Sequence, residues 1–77
     1  GSILHNLALL NHDQGLYAQA ESRFERSLAI MEKSLGLDHP YVATVLTNLA
    51  KLYRATEREA EAEKLEERAA RIRDDQR

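Results

Sequence analysis

The stretch Leu4-His5-Asn6-Leu7-Ala8-Leu9-Leu10-Asn11 returns 42 residues later as Leu46-Thr47-Asn48-Leu49-Ala50-Lys51-Leu52-Tyr53. Leu4, Asn6, Leu7, Ala8 and Leu10 each meet an identical residue at that shift. The match runs on into a second segment. It pairs Ala18 with Ala60, Ala20 with Ala62, Glu21 with Glu63, Glu25 with Glu67, Arg26 with Arg68 and Ile30 with Ile72. One unit, occurring twice in tandem, accounts for the chain. Units of this kind bury their apolar stripes against each other rather than around one centre.

Each unit reads as two helices. Apolar residues at Ile3, Leu4, Leu7, Ala8 and Leu10 have helical spacing and predict a helix over Ile3 to Gln14, ended by Gly15 as a C-terminal cap. The second helix is predicted from Leu16 to Leu35 through Tyr17, Ala20, Phe24, Leu28 and Met31. Gly36 followed by Leu37 predicts a Schellman stop with its apolar contact. Asp38-His39-Pro40 marks a helix start, with either Asp38 or His39 as cap and Pro40 in the first turn, where its missing N–H costs nothing. The third helix runs to about Ala55 through Val42, Val45, Leu46, Leu49, Ala50, Leu52 and Tyr53. Thr56-Glu57-Arg58 makes a weak break, and a fourth helix continues to about Arg73. No stretch alternates as a strand does. The expected fold is all-α: an α-solenoid of two helix hairpins, four antiparallel helices, read as the C-terminal fragment of an array.

Length and composition agree. Seventy-seven residues fall short of the usual domain of about 100–150 residues. A chain this short buries only about 60% of the surface its unfolded form exposes, so its core is small. There is no cysteine, which removes disulfides and thiolate metal sites. Eleven Lys and Arg against thirteen Asp and Glu give a net charge of −2, without the clustered basic face that nucleic acid requires. No apolar run reaches the roughly 20 residues of a membrane span, and no signal peptide is visible. These features predict a cytoplasmic protein that binds neither nucleic acid nor membrane.

The residues resemble the tetratricopeptide repeat, whose pattern is W-x2-L-G-x2-Y, then A-x3-F, then P. The first unit reads Leu4-x2-Leu7-Ala8-x2-Asn11, then Ala20-x3-Phe24; the second reads Leu46-x2-Leu49-Ala50-x2-Tyr53, then Ala62-x3-Glu66. The period of 42 exceeds the family's usual 34. The extra length, ending in Leu35-Gly36-Leu37-Asp38-His39-Pro40, resembles the kinesin-light-chain type of the repeat. On this reading residues 1–2 are an expression-tag scar, 3–40 form the first unit and 41–77 the second. Asn11 and Glu66 stand where the pattern has aromatics. The charged fourth helix reads as a polar cap on the solenoid. The apolar helix at the other end reads as bare, with upstream repeats cut away, and predicts homodimerisation through Ile3, Leu4 and Leu7.

The resemblance implies a protein or peptide partner held in a concave groove lined by the first helix of each pair. One stripe of the first helix carries Ser2, Asn6, Leu9 and Asp13, and the matching stripe of the third carries Thr44, Asn48, Lys51 and Ala55. His5, His12, Thr47 and Arg54 flank them. Asn6 and Asn48 lead, because a side-chain amide can pair with a peptide main chain. They can equally bond neighbouring helices and fix the packing. Lys51 and Arg54 are candidates for an acidic peptide. His5 and His12 are too loosely spaced to make a metal site, so neither a metal nor a cofactor is expected. No nucleophile or phosphate loop is present, and the chain does not read as an enzyme. Two functions remain: a peptide-binding module, or an oligomerisation module of a larger regulator.

Overall fold

A computed structural model describes residues 2–75, with side chains from Ile3 onward. Four helices follow one another: α1 (Ser2–Asp13), α2 (Tyr17–Leu35), α3 (Pro40–Ala55) and α4 (Glu59–Asp75). No strand occurs among the described residues. Each helix packs on its chain neighbour, and α1 also touches α3. Side-chain pairs give the directions. Arg54 meets Glu66 while Thr47 meets Arg73, so α3 and α4 are antiparallel. Tyr53 meets Glu25 while Arg58 meets Glu21, so the second unit folds back along α2.

The core lies mainly on α3. Val42, Ala43, Val45, Leu46, Leu49, Ala50, Leu52 and Tyr53 are all buried there, every apolar position predicted for that helix and Ala43 besides. Helix α3 lies against both α2 and α4, so most of its circumference is covered. Helix α2 contributes Ala20, Phe24, Ser27 and Met31, and α4 contributes Ala62, Ala69 and Ile72. The sequence pattern pointed to Leu28; it is only partly buried, and Ser27 beside it takes the closed slot. The equivalent residue in the second unit is Ala69, also buried. Both units therefore place a small residue at that position. Tyr17, read as part of the same stripe, stays outside the core at the start of α2, 36% exposed.

The two hairpin turns share one geometry. In the first, Gly15 N–H donates to His12 O and Leu16 N–H donates to Asn11 O, with Gly15 at φ 78°. These are the paired bonds of a Schellman cap. In the second, Glu57 N–H donates to Arg54 O and Arg58 N–H donates to Tyr53 O, with Glu57 at φ 63°.

The loop between the units departs from expectation. Gly36 sits at φ 96°, ψ 158°, a region open essentially to glycine alone, and its N–H donates to Glu32 O. There is no Schellman cap here. The backbone turns outward instead, His39 N–H closes on Gly36 O at 3.4 Å, and Leu37 is 61% exposed rather than packed on the helix end. His39 is the cap of α3. Its Nδ1 accepts from Tyr41 N–H at 3.1 Å, with Pro40 at the first helical position.

Candidate binding groove

Helices α1 and α3 run in the same direction, one repeat apart, and a polar pair joins them. Asn48 Nδ2 donates to His5 Nε2 at 2.8 Å. The His5 ring also leans on Phe24 of α2, with centroids 5.8 Å apart. His5 is therefore tied to both neighbouring helices. A ring nitrogen that accepts is unprotonated, and burial lowers the His5 pKa from its ordinary value in agreement with that. Asn48 keeps its carbonyl oxygen and a second N–H for other partners.

The other residues of the two stripes are distributed as follows. Asn6 is exposed and Leu9 is half-buried against the core. On α3, Thr44 and Lys51 are exposed, and the Thr44 hydroxyl donates to Pro40 O at 3.3 Å. Asp13 and Ala55 are exposed. The Ser2 side chain lies outside the described residues. Asn6, Leu9, Thr44, Asn48 and Lys51 thus keep surface on α1 and α3, and His5 bridges the two helices.

Thr47 and Arg54 are placed elsewhere. The Thr47 hydroxyl donates to Ala43 O at 2.9 Å and accepts from Arg73 Nη2 at 3.1 Å. Arg54 binds the Glu66 carboxylate through two nitrogens, at 2.5 and 3.1 Å. Both residues therefore line the seam between α3 and α4. Each member of the Arg54–Glu66 pair favours the charged form of the other, raising the arginine pKa and lowering that of the carboxyl. The sequence singled out Glu66 as a missing aromatic; it is the partner of Arg54. The His12 and Tyr17 rings meet in a T-shaped contact, centroids 5.5 Å apart. Among the described residues no group of three His, Asp or Glu gathers to hold a metal ion, and no helix is long and apolar enough to cross a membrane.

Two polar arrangements escaped the sequence reading. Asn11 is buried and accepts from Arg23 Nη1 of α2. Arg58, read only as part of a weak break, is a junction between the units. Its guanidinium reaches Glu21 of α2 and Glu61 of α4, and lies 4.1 Å over the Tyr53 ring. Tyr53 Oη donates to Glu25 at 3.2 Å. Burial, then the charges of Glu25 and Glu21 and that hydrogen bond, push the Tyr53 pKa up to about 12, with Arg58 opposing. Glu21 and Glu25 recur 42 residues later as Glu63 and Glu67. That recurrence was the available signal that these positions do more than face solvent.

Comparison with known proteins agrees with this architecture. No curated protein matches the chain. A family model described as tetratricopeptide repeat matches residues 1–75. The match spans both hairpins, so the chain belongs to the tetratricopeptide repeat family.

Proposed function

We propose that this chain is a protein-binding scaffold that takes an extended peptide segment along α1 and α3. Binding of protein partners is the general property of its family. The observation that carries the finer reading is the Asn48–His5 bond. It holds one amide in a fixed orientation while leaving its oxygen and one N–H available. Asn6, at the same position one repeat earlier, is exposed. A preoriented amide loses less entropy on binding than a free one. Lys51 and Thr44 flank the site and favour a polar or acidic ligand. The 42-residue period supports the kinesin-light-chain type, and the reading is of a cytoplasmic scaffold without chemistry of its own. Screening the chain against a random peptide array, then repeating with Asn6→Ala/Asn48→Ala, tests it. The double variant should lose the peptides while its circular dichroism stays unchanged. Undiminished binding would reject the reading.

A second reading rests on α1. Ile3 is 76% exposed, Leu10 53% and Leu7 39%, a stripe of apolar side chains one turn apart, while Leu4 is half-buried. Pairing of two copies through this stripe would cover it. Sedimentation of wild type and Leu7→Glu distinguishes the cases: a concentration-dependent dimer abolished by the charge supports pairing, and a monomer throughout excludes it.

A further inference from the structure

The amide at the centre of the groove is held by a titratable acceptor. Asn48 Nδ2 donates to His5 Nε2 at 2.8 Å. The nitrogen branch is spent on α1, so the oxygen branch points away from the ring and stays available with the second N–H. The bond lasts only while Nε2 keeps its lone pair. A proton on Nε2 sets two N–H groups against each other. Contact is restored by turning the amide over, with Oδ1 accepting from the ring. The groove then meets N–H groups where it had an oxygen.

The surroundings leave His5 to act alone. Its ring meets Phe24 of α2 and Asn48 of α3. Burial is the cause of its lowered pKa, with no charged group contributing. The charged residues of α2 near Phe24 are committed elsewhere: Arg23 to Asn11, Glu21 to Arg58 and Glu25 to Tyr53, while Arg26 is exposed. Within one turn of Asn48 on α3 the charged residue is Lys51, which is exposed. The other two histidines are engaged away from this bond, His12 with Tyr17 and His39 with the Tyr41 N–H. Asn6, the matching amide one repeat earlier, is exposed and bonds to no described residue. In the second unit Thr47 stands in place of His5. The titratable hold therefore belongs to Asn48.

Building on the peptide groove proposed for α1 and α3, we infer that acid releases its ligand: protonation of His5 turns the Asn48 amide over and removes the oxygen that accepts from the peptide main chain. Loss of one such acceptor weakens binding about three- to tenfold.

Side-chain NMR of the free chain reads the switch without a peptide. The His5 ring protons should titrate, and the Asn48 side-chain N–H signals should move with the same midpoint. In His5→Gln they should not move. Anisotropy then follows a histidine-free peptide selected on the wild-type chain at about pH 7.5. Its affinity should fall about three- to tenfold across that midpoint. In His5→Gln it should stay level, whatever the affinity of that variant at neutral pH. Asn48 signals that stay put while His5 titrates overturn the proposal, as does a fall in affinity shared by His5→Gln. Neutral-pH binding that ignores Asn48→Ala rejects the groove reading itself and acid release with it. The NMR titration distinguishes that case, because it shows the amide turning with no peptide present. Circular dichroism at each pH verifies that the chain stays folded.

Discussion

Gly15 and Glu57 occupy the same left-handed backbone position 42 residues apart, at φ 78° and φ 63°. Each is flanked by the same two capping bonds, so the two hairpins turn identically with different residues at the bend. A residue with a Cβ in this region is strained by about 1–2 kcal/mol, and a carboxylate just past a helix C-terminus opposes the helix dipole.

Glu57→Gly should therefore stabilise the fold. Relief of strain outweighs the extra chain entropy of glycine, about 0.5–1 kcal/mol, and leaves a net gain of about 0.5–1 kcal/mol. Gly15→Ala should cost about 0.5–1 kcal/mol, the same strain less the same entropy term, entirely from the backbone, because an added Cβ there meets nothing within 4 Å. Thermal melts read both changes, at about 4–8 °C per kcal/mol for a domain this small. A Glu57→Gly melt equal to wild type would show that the turn is relaxed with glutamate.

Leu10 and Leu52 are the same repeat position in two environments, 53% exposed and fully buried. Leu52→Ala should cost about 2–5 kcal/mol, the range for a truncated core leucine. Leu10→Ala should cost under about 1 kcal/mol, as for a surface site. Urea unfolding at low protein concentration compares the two. A large Leu10→Ala effect that grows with concentration would instead mark Leu10 as an interface residue, in favour of self-association.

What the sequence disclosed follows from what a repeat makes visible. The 42-residue shift depends on identities, and with Gly15, Gly36 and Pro40 as punctuation it located all four helices to within a residue or two. Glu57 was illegible as a cap because the Schellman signal is a glycine, whereas here the same turn is built on a glutamate. The flanks of the groove point away from its stripe for a geometric reason. Adjacent helical residues point about 100° apart, so Thr47, one step from Asn48, turns to the α4 seam, and Arg54 follows it seven residues on. Ser27 and Leu28 differ by the same step. Chemistry favoured the leucine, whereas the slot takes a small side chain, as Ala69 indicates.

Arg58 should not tolerate lysine. Its guanidinium meets Glu21 and Glu61 while lying over Tyr53, a combination that needs a planar, multidentate cation. Arg58→Lys should lower the urea midpoint, and the gap from wild type should narrow but persist in high salt, because screening weakens the ion pairs more than the stacking. A gap that vanishes in salt would assign the whole effect to charge.

Tyr53 should titrate late. Its pKa of about 12 lies above the ordinary value of about 10, so the native state holds its proton more tightly than the unfolded chain. The associated stability is present below about pH 10 and is lost as pH rises toward 12. Absorbance of tyrosinate during alkaline titration should contain a late step that Tyr53→Phe removes. Glu25→Gln should bring that step to lower pH, since the Glu25 charge and hydrogen bond both raise it.

His5 sets the opposite dependence on the acid side. Burial lowers its pKa from the ordinary 6.5, so the unfolded chain binds the proton more readily than the native one. The native state is then fully favoured above the unfolded value, and stability falls as pH drops through it. Protonation also requires the ring nitrogen that accepts from Asn48 to become a donor, which that amide can satisfy only by turning its oxygen inward. A glutamine at this position offers Asn48 a side-chain acceptor and does not titrate. Between about pH 7.5 and about pH 5.5 the wild-type melting temperature should therefore fall more than that of His5→Gln. Parallel curves for the two proteins would show that His5 titrates as it does in the unfolded chain. A steeper wild-type curve, with Asn48-dependent peptide binding declining over the same range, would tie the groove amide to the protonation state of its partner on α1.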